Sequence, residues 1–562
     1  MNQTVYLLTQ TALMMKHMTR MRDAKVTMLV APTGYGKTVL VNRFQEENKD
    51  ALFYLHQVKS HDIVLEWQSF CAVISSISPP TGKALADCLN QGVINNDAVV
   101  RTLNKLECPE EREVYLVIND FNQLINLFPD ETLAALLRHE CKRLHLVMVG
   151  KPFQQPPGIR IDPYAIHWIG ARDLLFTVEN IKEYYQANGL SIDDERVDEM
   201  FRATAGWPVA IRTCLEQSLA GQEPNPVAVT RKLLAQASLD RMNREERRLL
   251  AALAHLSIIN NSVVSFLSGS EDDRLIRDFL SDLPLMYYND AFQVWHMQDG
   301  LREYLLLRFE NSPWEEKSLV NIRLGEWSCQ QGNLTDAIGY YYRARDYEAI
   351  LELDLKLLQF AICLDVPMDK IAREIIERCP MEIKGRHPLS LLRLAYLMYG
   401  AGEFAAYAMA LRQAETLIDR EKDPQLYGEW LMISMLQQMP DLSAMHAVVL
   451  EASHYLLYPS NAIALEEPAF FGCPSMWYLM YSTPGEGDLI ASQLENFLWD
   501  YQRVTGGRGN GTDLLYKGEL ASMRCQYDLS RSYANSAAVM GESSGQPTVV
   551  LVCPQSLYQP VS

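Results

Sequence analysis

The sequence lacks the features that mark membrane, secreted and metal-stabilised chains. Its 562 residues contain no run approaching the ~18 consecutive apolar residues needed to span a bilayer, so no membrane partner is expected. The opening segment, residues 1–23, has no basic region leading into an apolar core with a cleavage site, which argues against secretion. The 11 cysteines form no C-x-x-C pair, so neither a zinc site nor a disulfide framework is predicted. We therefore expect a soluble, cytoplasmic protein with reduced thiols.

Positive charge is also scarce. The formal net charge is −19, and no Lys/Arg-rich run offers a local surface for a phosphate backbone, so this composition argues against direct binding of nucleic acid. Hydrophobic residues make up 48% and charged residues 22%, close to the averages of soluble globular proteins. At ~150 residues per domain, the length predicts about three or four domains.

A phosphate-binding loop is predicted near the amino terminus. Residues 25–44 run from a short apolar strand through the loop LVAPTGYGKT into a helical pattern, which is the context that a P-loop requires. Glycines let backbone N–H groups turn toward phosphate oxygens, the lysine reaches the outer phosphates, and the threonine hydroxyl suits Mg²⁺. The predicted nucleotide contacts are Ala31, Pro32, Thr33, Gly34, Tyr35, Gly36, Lys37, Thr38 and Val39. The alternative is a glycine-rich turn that binds nothing.

Two further apolar runs end in polar residues. The run in residues 113–125 ends at Asn119 and Asp120, and the run in 144–152 ends at Lys151; Asn119 and Lys151 join the predicted nucleotide contacts. Asp120 is the predicted catalytic carboxylate and, with Thr38, the predicted Mg²⁺ ligand, while Lys151 would sense the outer phosphate. A plain Asn-Asp turn and a lysine that merely follows a strand are the alternatives. Three apolar strands separated by helical stretches predict a parallel α/β sheet with its ligand at the carboxyl ends of the strands.

The order of these segments resembles the large ATP-binding regulators of the MalT and LuxR type, which are signal-transducing ATPases with numerous domains (STAND). The resemblance rests on residues 31–38, 116–125, 144–152, 173–185, 203–214, 292–309 and 324–353. It implies ATP or ADP and Mg²⁺ as cofactors. It also implies that Gly206-Trp207-Pro208 lies in a small helical lid over the adenine end of the nucleotide, so Pro208 joins the predicted contacts.

Two departures from this family bear on catalysis. The second motif of the family usually ends in two acidic residues, and here Asn119 replaces the first of them. Asparagine is neutral and a poorer Mg²⁺ ligand. The third motif usually ends in arginine, and Lys151 keeps the charge but loses the bidentate fork. We therefore expect nucleotide binding to persist and the chain to be at most a weak ATPase.

The expected fold is a multidomain α/β plus α arrangement. It comprises a P-loop domain (1–170), tetratricopeptide-like repeats (316–535) and an irregular tail (536–562), and the family resemblance implies a helical lid (171–227) and a winged-helix domain (228–315) between the first two. The repeats are predicted from paired helical patterns that recur about every 34–45 residues. His296, near a helix start, is interpreted as a core or cap residue in preference to a ligand. The glycine-rich stretch 504–515 follows no strand and is interpreted as a turn.

The favoured function is a signal-responsive nucleotide switch. An unknown small-molecule or protein effector would act at the repeats, and the family implies self-association of the ATP state. One alternative is a DNA-binding transcription regulator, although no carboxyl-terminal helix-turn-helix is recognised, and a natural short form and a truncated chain both stay open. The other alternative is a repeat scaffold with a vestigial P-loop.

Overall fold

The computed structural model divides the chain into two compact units, Met1–Glu316 and Lys317–Ser562. It describes residues 12–59, 62–90, 93–153, 166–237, 242–269, 273–289, 291–355, 361–463, 480–481, 483–547 and 549–550. Among the helices of these ranges, none is long and apolar enough to cross a bilayer.

The first unit begins with a five-stranded parallel sheet and its helices. The elements in chain order are α1 (Ala12–Asp23), β1 (Val26–Val30), α2 (Lys37–Glu47), β2 (Leu52–Gln57), α3 (Ile63–Ile77), α4 (Pro79–Ala86), β3 (Leu89–Asn90), β4 (Val93–Ile94), α5 (Asn96–Asn104), β5 (Val114–Asn119), α6 (Phe121–Leu127), α7 (Asp130–Leu137), β6 (Leu144–Gly150) and β7 (Ile166–Gly170). The strand order is β2-β5-β6-β1-β7, and β3 and β4 form a separate hairpin.

The three predicted strands are the centre of this sheet. Every residue of β1 and β6 is buried, and β5 is buried up to Asn119. Alternate side chains enter two different apolar clusters, so both faces are covered and the strands are almost continuously apolar. In the parallel register Val30 lies beside Gly150, and Val149 lies beside Asn119. The carboxyl ends of β1, β6 and β5 are therefore level, with β6 in the middle.

A helical segment and a small antiparallel sheet complete the first unit. Their elements are α8 (Val178–Ala187), α9 (Asp194–Thr204), α10 (Pro208–Leu219), α11 (Pro226–Ala237), α12 (Arg244–Ala254), β8 (Ile259–Asn260), α13 (Asn261–Ser268), α14 (Asp273–Ser281), β9 (Met286–Asn289), β10 (Val294–Met297) and α15 (Asp299–Glu310). The sheet order is β8-β10-β9. α11 packs against α9 and α10.

His296 lies on β10, and the expectation of a core or cap residue is wrong. The alternation of the strand buries Trp295 and Met297, which leaves His296 exposed. Its ring stacks on Tyr287 of β9, with the ring centroids 5.1 Å apart.

The second unit is a series of paired helices. Beginning with the helix that crosses its boundary, the elements are α16 (Trp314–Gln330), α17 (Leu334–Ala344), α18 (Tyr347–Glu352), β11 (Ile362–Cys363), β12 (Val366–Pro367), α19 (Met368–Arg378), α20 (Met381–Arg386), α21 (Pro388–Gly400), α22 (Phe404–Leu417), α23 (Pro424–Ser434), α24 (Leu442–Tyr455), α25 (Gly487–Thr505), α26 (Thr512–Met523) and α27 (Tyr527–Ser543). The helices from α17 to α26 contribute to one apolar cluster. The expected fold class, a P-loop α/β sheet followed by helical repeats, is confirmed.

The helix α27 extends into the residues expected to form an irregular tail. α27 continues past residue 536 to Ser543. Its buried side comprises Ser530, Ala534, Ala537 and Gly541, which recur every three or four residues. These small residues permit close packing, so a stretch whose Gly and Ser content suggests a tail is helical as far as Ser543.

Candidate functional site

The P-loop joins β1 to α2 and has the backbone that its glycines allow. Gly34 and Gly36 have φ values of 88° and 82°, in the left-handed region that favours glycine. Gly36 is the N-cap of α2, and its carbonyl accepts a hydrogen bond from Leu40 N–H at 3.0 Å. The loop therefore leads directly into a helix amino terminus, where free N–H groups and the helix dipole favour an anion.

Lys37 is held against its own loop. Its Nζ donates to the carbonyl oxygens of Ala31 and Pro32 at 2.6 and 2.9 Å. Burial lowers the pKa of Lys37 to about 8, and the largest charge acting against that shift is Asp282. An incoming phosphate would give this ammonium an anionic acceptor in place of neutral carbonyls and would favour its charged form.

The polar residues at the other strand ends face the same site. Gln57 Nε2 donates to Asp120 Oδ2 at 2.6 Å, which orients the carboxylate. Asp120 itself has φ 57°, a left-handed conformation in which Asp is enriched among non-glycine residues. Lys151 follows β6, and its backbone N–H donates to Asn122 Oδ1 at 3.0 Å. Lys151 therefore lies just beyond the strand that separates the P-loop strand from the Asp120 strand.

The amino terminus of α10 closes another side of the site. Pro208 occupies its first turn, where the missing N–H costs no helical hydrogen bond. Val209 N–H donates to the carbonyl of Gly34 at 3.1 Å, which ties α10 to the P-loop. A Cβ on Gly34 would lie 2.8 Å from Val209 Cγ1 and 3.1 Å from Trp207 Nε1, so position 34 has no room for a side chain.

These elements enclose a cavity of about 440 Å³. Its lining residues are Thr33, Gly34, Tyr35, Gly36, Lys37, Thr38, Val39, Asn119, Asp120, Val149, Gly150, Lys151, Tyr184, Pro208, Val209 and Arg212. Eleven of the predicted residues are in this set, namely Thr33–Val39, Asn119, Asp120, Lys151 and Pro208. Ala31 and Pro32 are not, and they contribute through the carbonyls that hold Lys37.

Several residues of the site were not predicted as contacts. Tyr184 and Arg212 lie in segments that carried the family resemblance, but nothing local marked them as cavity residues. Gln57 acts through Asp120, from the end of an edge strand that was not predicted. Their positions follow from the folded arrangement and not from any motif.

A turn after α14 also contacts the P-loop. The hydroxyl of Tyr35 accepts a hydrogen bond from Leu285 N–H at 3.0 Å, and burial raises the pKa of Tyr35 to about 12. Asp282 of the same turn accepts from Lys151 Nζ, with 2.6 Å between Nζ and Oδ2. The P-loop and the end of β6 are thus both joined to residues 282–285.

The arrangement has the geometry of a P-loop module. Three cationic side chains, Lys37, Lys151 and Arg212, line the cavity, together with two helix amino termini. Such a site suits a polyphosphate. The Thr38 hydroxyl and the Asp120 carboxylate are oxygen ligands of the kind that Mg²⁺ prefers.

Comparison with known proteins shows that the chain is similar in sequence to a transcriptional regulator. The chain is 21% identical over 431 residues to the HTH-type transcriptional regulator MalT of Cronobacter sakazakii (strain ATCC BAA-894). The match covers 72% of this chain and 46% of the relative, so it spans about half the length of that protein. This finding bears out the resemblance to MalT-like regulators. No family model matches the chain.

Two solved structures resemble this chain less closely. A STAND protein with a tetratricopeptide repeat sensor from Pyrococcus horikoshii has 16% identity and a TM-score of 0.35, covering 97% of this chain and 79% of its own. A Walker-type ATPase of Pyrococcus abyssi has 16% identity and a TM-score of 0.36, covering 53% of this chain and 95% of its own. With TM-scores this low, the fold assignment depends on the strand order and registers given above.

Proposed function

We propose that this chain is a signal-responsive switch that binds ATP or ADP with Mg²⁺ in the P-loop cavity. The observation that carries the proposal is that the P-loop, the ends of β5 and β6 and the start of α10 all line one cavity. Phosphates would lie against the P-loop and the amino terminus of α2, where Lys37 balances their charge. Bound Mg²⁺, held by Thr38 and Asp120, would neutralise phosphate charge.

Hydrolysis is proposed to be slow. Asn119 stands where an acidic residue would strengthen metal binding, and Lys151 offers one point charge to a phosphate instead of a bidentate fork. Asp120 is the carboxylate at this strand end, and one of its oxygens already accepts from Gln57. Replacement of Asn119 by Asp would add a second carboxylate beside it and should increase turnover.

The output is proposed to be self-association of the ATP-bound form, biased by an effector that binds the helical repeats. A ligand can shift such an equilibrium only by its preference for one state over the other. Stacked helix pairs offer extended surfaces for such a ligand. We propose that the protein acts in the cytoplasm, where ATP is available.

The first experiment identifies nucleotide retained by the purified chain. The protein is denatured, the released nucleotide is resolved by ion-exchange chromatography, and phosphate release is followed with and without Mg²⁺. Lys37→Ala should abolish retention because it removes the loop cation, whereas the exposed Lys83 on α4 provides a matched control, Lys83→Ala. Unchanged nucleotide binding by Lys37→Ala would contradict the proposal. The alternative, a repeat scaffold with a vestigial P-loop, would then be favoured.

The second experiment measures turnover and association. Asn119→Asp should raise the steady-state rate of phosphate release, and ordinary ATPase turnover by the unmodified chain would contradict slow hydrolysis. Light scattering in ADP and in a non-hydrolysable ATP analogue should show a larger mass only with the analogue. Equal masses in the two nucleotides would remove self-association from the proposal.

A second candidate function is transcription regulation through DNA, which the similarity to an HTH-type transcriptional regulator favours. The net charge of −19 opposes direct binding by this chain. Fluorescence anisotropy with a labelled duplex at 50 and 200 mM salt distinguishes the two. Salt-sensitive binding to the duplex would favour the DNA-binding candidate.

A further inference from the structure

The turn that follows α14 is anchored to the nucleotide site at two points. Asp282 Oδ2 lies 2.6 Å from Lys151 Nζ, at the end of β6. Leu285 N–H donates to the Tyr35 hydroxyl of the P-loop at 3.0 Å. Leu285 has φ 63°, an uncommon left-handed conformation for a branched side chain, so the hydrogen bond holds a backbone that is otherwise disfavoured.

The Asp282 carboxylate is directed at the cations that a polyphosphate would need. It is paired with Lys151, and it is also the strongest charge acting on Lys37. Its other oxygen, Oδ1, is buried and has no hydrogen-bond partner among the residues that the structure describes. One carboxylate therefore supplies negative charge to both lysines of the site.

We propose that Asp282 takes the place of the outermost phosphate of a nucleoside triphosphate and so makes the closed site selective for a diphosphate. The inference rests on the proposed nucleotide-binding function. A third phosphate would bring further negative charge toward Lys151, where Asp282 already lies. Like charges repel, and Lys151 has one ammonium to share. Triphosphate binding therefore requires Asp282 to leave, whereas a diphosphate leaves the ion pair intact.

Displacement of Asp282 would also affect the turn in which it lies. Asp282 and Leu285 lie in the same turn, so loss of the ion pair loosens the turn that donates to Tyr35. The γ-phosphate would thus be coupled to the region that contains α14 and the β8-β10-β9 sheet. This gives the triphosphate and the diphosphate different effects on one structural element, which a switch requires.

An ordinary surface ion pair is the competing interpretation. Lys151 and Asp282 have side-chain exposures of 44% and 38%, and pairs this exposed contribute little to stability. A surface pair would not discriminate between nucleotides. The two interpretations therefore differ in the ratio of ATP to ADP affinity and not in the stability of the protein.

The test compares Asp282→Asn with Asp299→Asn, an exposed position at the start of α15 that removes the same charge from the same region. Calorimetry gives dissociation constants for ADP and for a non-hydrolysable ATP analogue, both with Mg²⁺. Asp282→Asn should shift the ratio of the two constants toward the analogue by at least ~5-fold, the lower end of typical coupling between sites. Asp299→Asn should leave the ratio unchanged. An unchanged ratio in Asp282→Asn, with both nucleotides bound, would overturn the proposal.

A measurement on the unmodified chain keeps the proposal testable if the variant does not fold. Amide exchange of the peptide containing Leu285 should become faster with the ATP analogue than with ADP, because the Tyr35 hydrogen bond is lost. Equal exchange in the two nucleotides would contradict displacement of the turn. Failure of the unmodified chain to bind either nucleotide would instead overturn the proposed function itself.

Discussion

Gly206 allows a severe and specific perturbation of the turn that leads into α10. It has φ 76°, and a Cβ at this position would lie 2.2 Å from the carbonyl oxygen of Phe176. The same two residues are hydrogen-bonded, because Phe176 N–H donates to the Gly206 carbonyl at 2.9 Å. The obstacle is a backbone atom, which cannot rotate away as a side chain can. Gly206→Ala must therefore separate two backbone segments by roughly 1 Å to reach ordinary van der Waals distance.

The expected magnitude has two parts that a control separates. Gly189 has nearly the same backbone angle, φ 77°, and a Cβ there would meet nothing within 4 Å. Gly189→Ala should therefore cost only the left-handed strain of an L-residue, about 1–2 kcal/mol. Gly206→Ala carries the same strain plus an overpacking cost of about 1–3 kcal/mol, or roughly 2–5 kcal/mol in total.

The assay is urea unfolding followed by tryptophan fluorescence, with amide exchange of residues 203–215 to localise the change. Gly206→Ala should also weaken nucleotide binding, because Pro208 and Val209 follow directly and line the cavity. Gly189→Ala should bind nucleotide normally. Equal losses of unfolding free energy in the two variants would refute the steric argument.

Lys37 and Glu429 each give one further measurable consequence. Because the pKa of Lys37 is lowered to about 8 and bound phosphate would raise it, nucleotide binding should take up a proton above pH 8. Below pH 8 the affinity for nucleotide should therefore be constant, and above pH 8 it should fall by up to ~10-fold per pH unit. Calorimetry in two buffers measures this change. Lys37→Arg should show no such fall. Glu429 is 2% exposed and accepts from Gln425, Ser460, Asn461 and Ala462, so Glu429→Ala should cost about 3 kcal/mol in urea unfolding. Less than 1 kcal/mol would contradict that reasoning.

The central strands and the P-loop could be predicted because each leaves a pattern in a short stretch of sequence. A strand covered on both faces must be apolar throughout, so β1, β5 and β6 are visible as short apolar runs. The P-loop requires glycine at two left-handed positions, and those glycines are in the sequence. The edge strands β2 and β7 were not predicted, because partial exposure of their side chains leaves no such pattern.

The partners of the site residues could not be predicted, because long-range contacts leave no local signal. Gln57 and Asp120 are 63 positions apart, Lys151 and Asp282 are 131 apart, and Tyr35 and Leu285 are 250 apart. Each contact depends on where the chain returns after several intervening elements. The sequence could indicate which groups would touch phosphate, but not which protein groups compete with phosphate for them.

That competition bears on whether the site is built for turnover. Lys37 donates to two carbonyls of its own loop, and Asp120 accepts from Gln57. Lys151 is paired with Asp282. Fast catalysis is served by groups already positioned for the transition state, since reorganisation at the moment of reaction adds to the barrier. Here Lys37 would exchange protein acceptors for phosphate, Lys151 would do so for a third phosphate, and Asp120 would share its carboxylate between Gln57 and a metal ion. Such exchanges would couple nucleotide binding to the surrounding structure and slow the chemistry, which favours the proposed switch over a rapid ATPase.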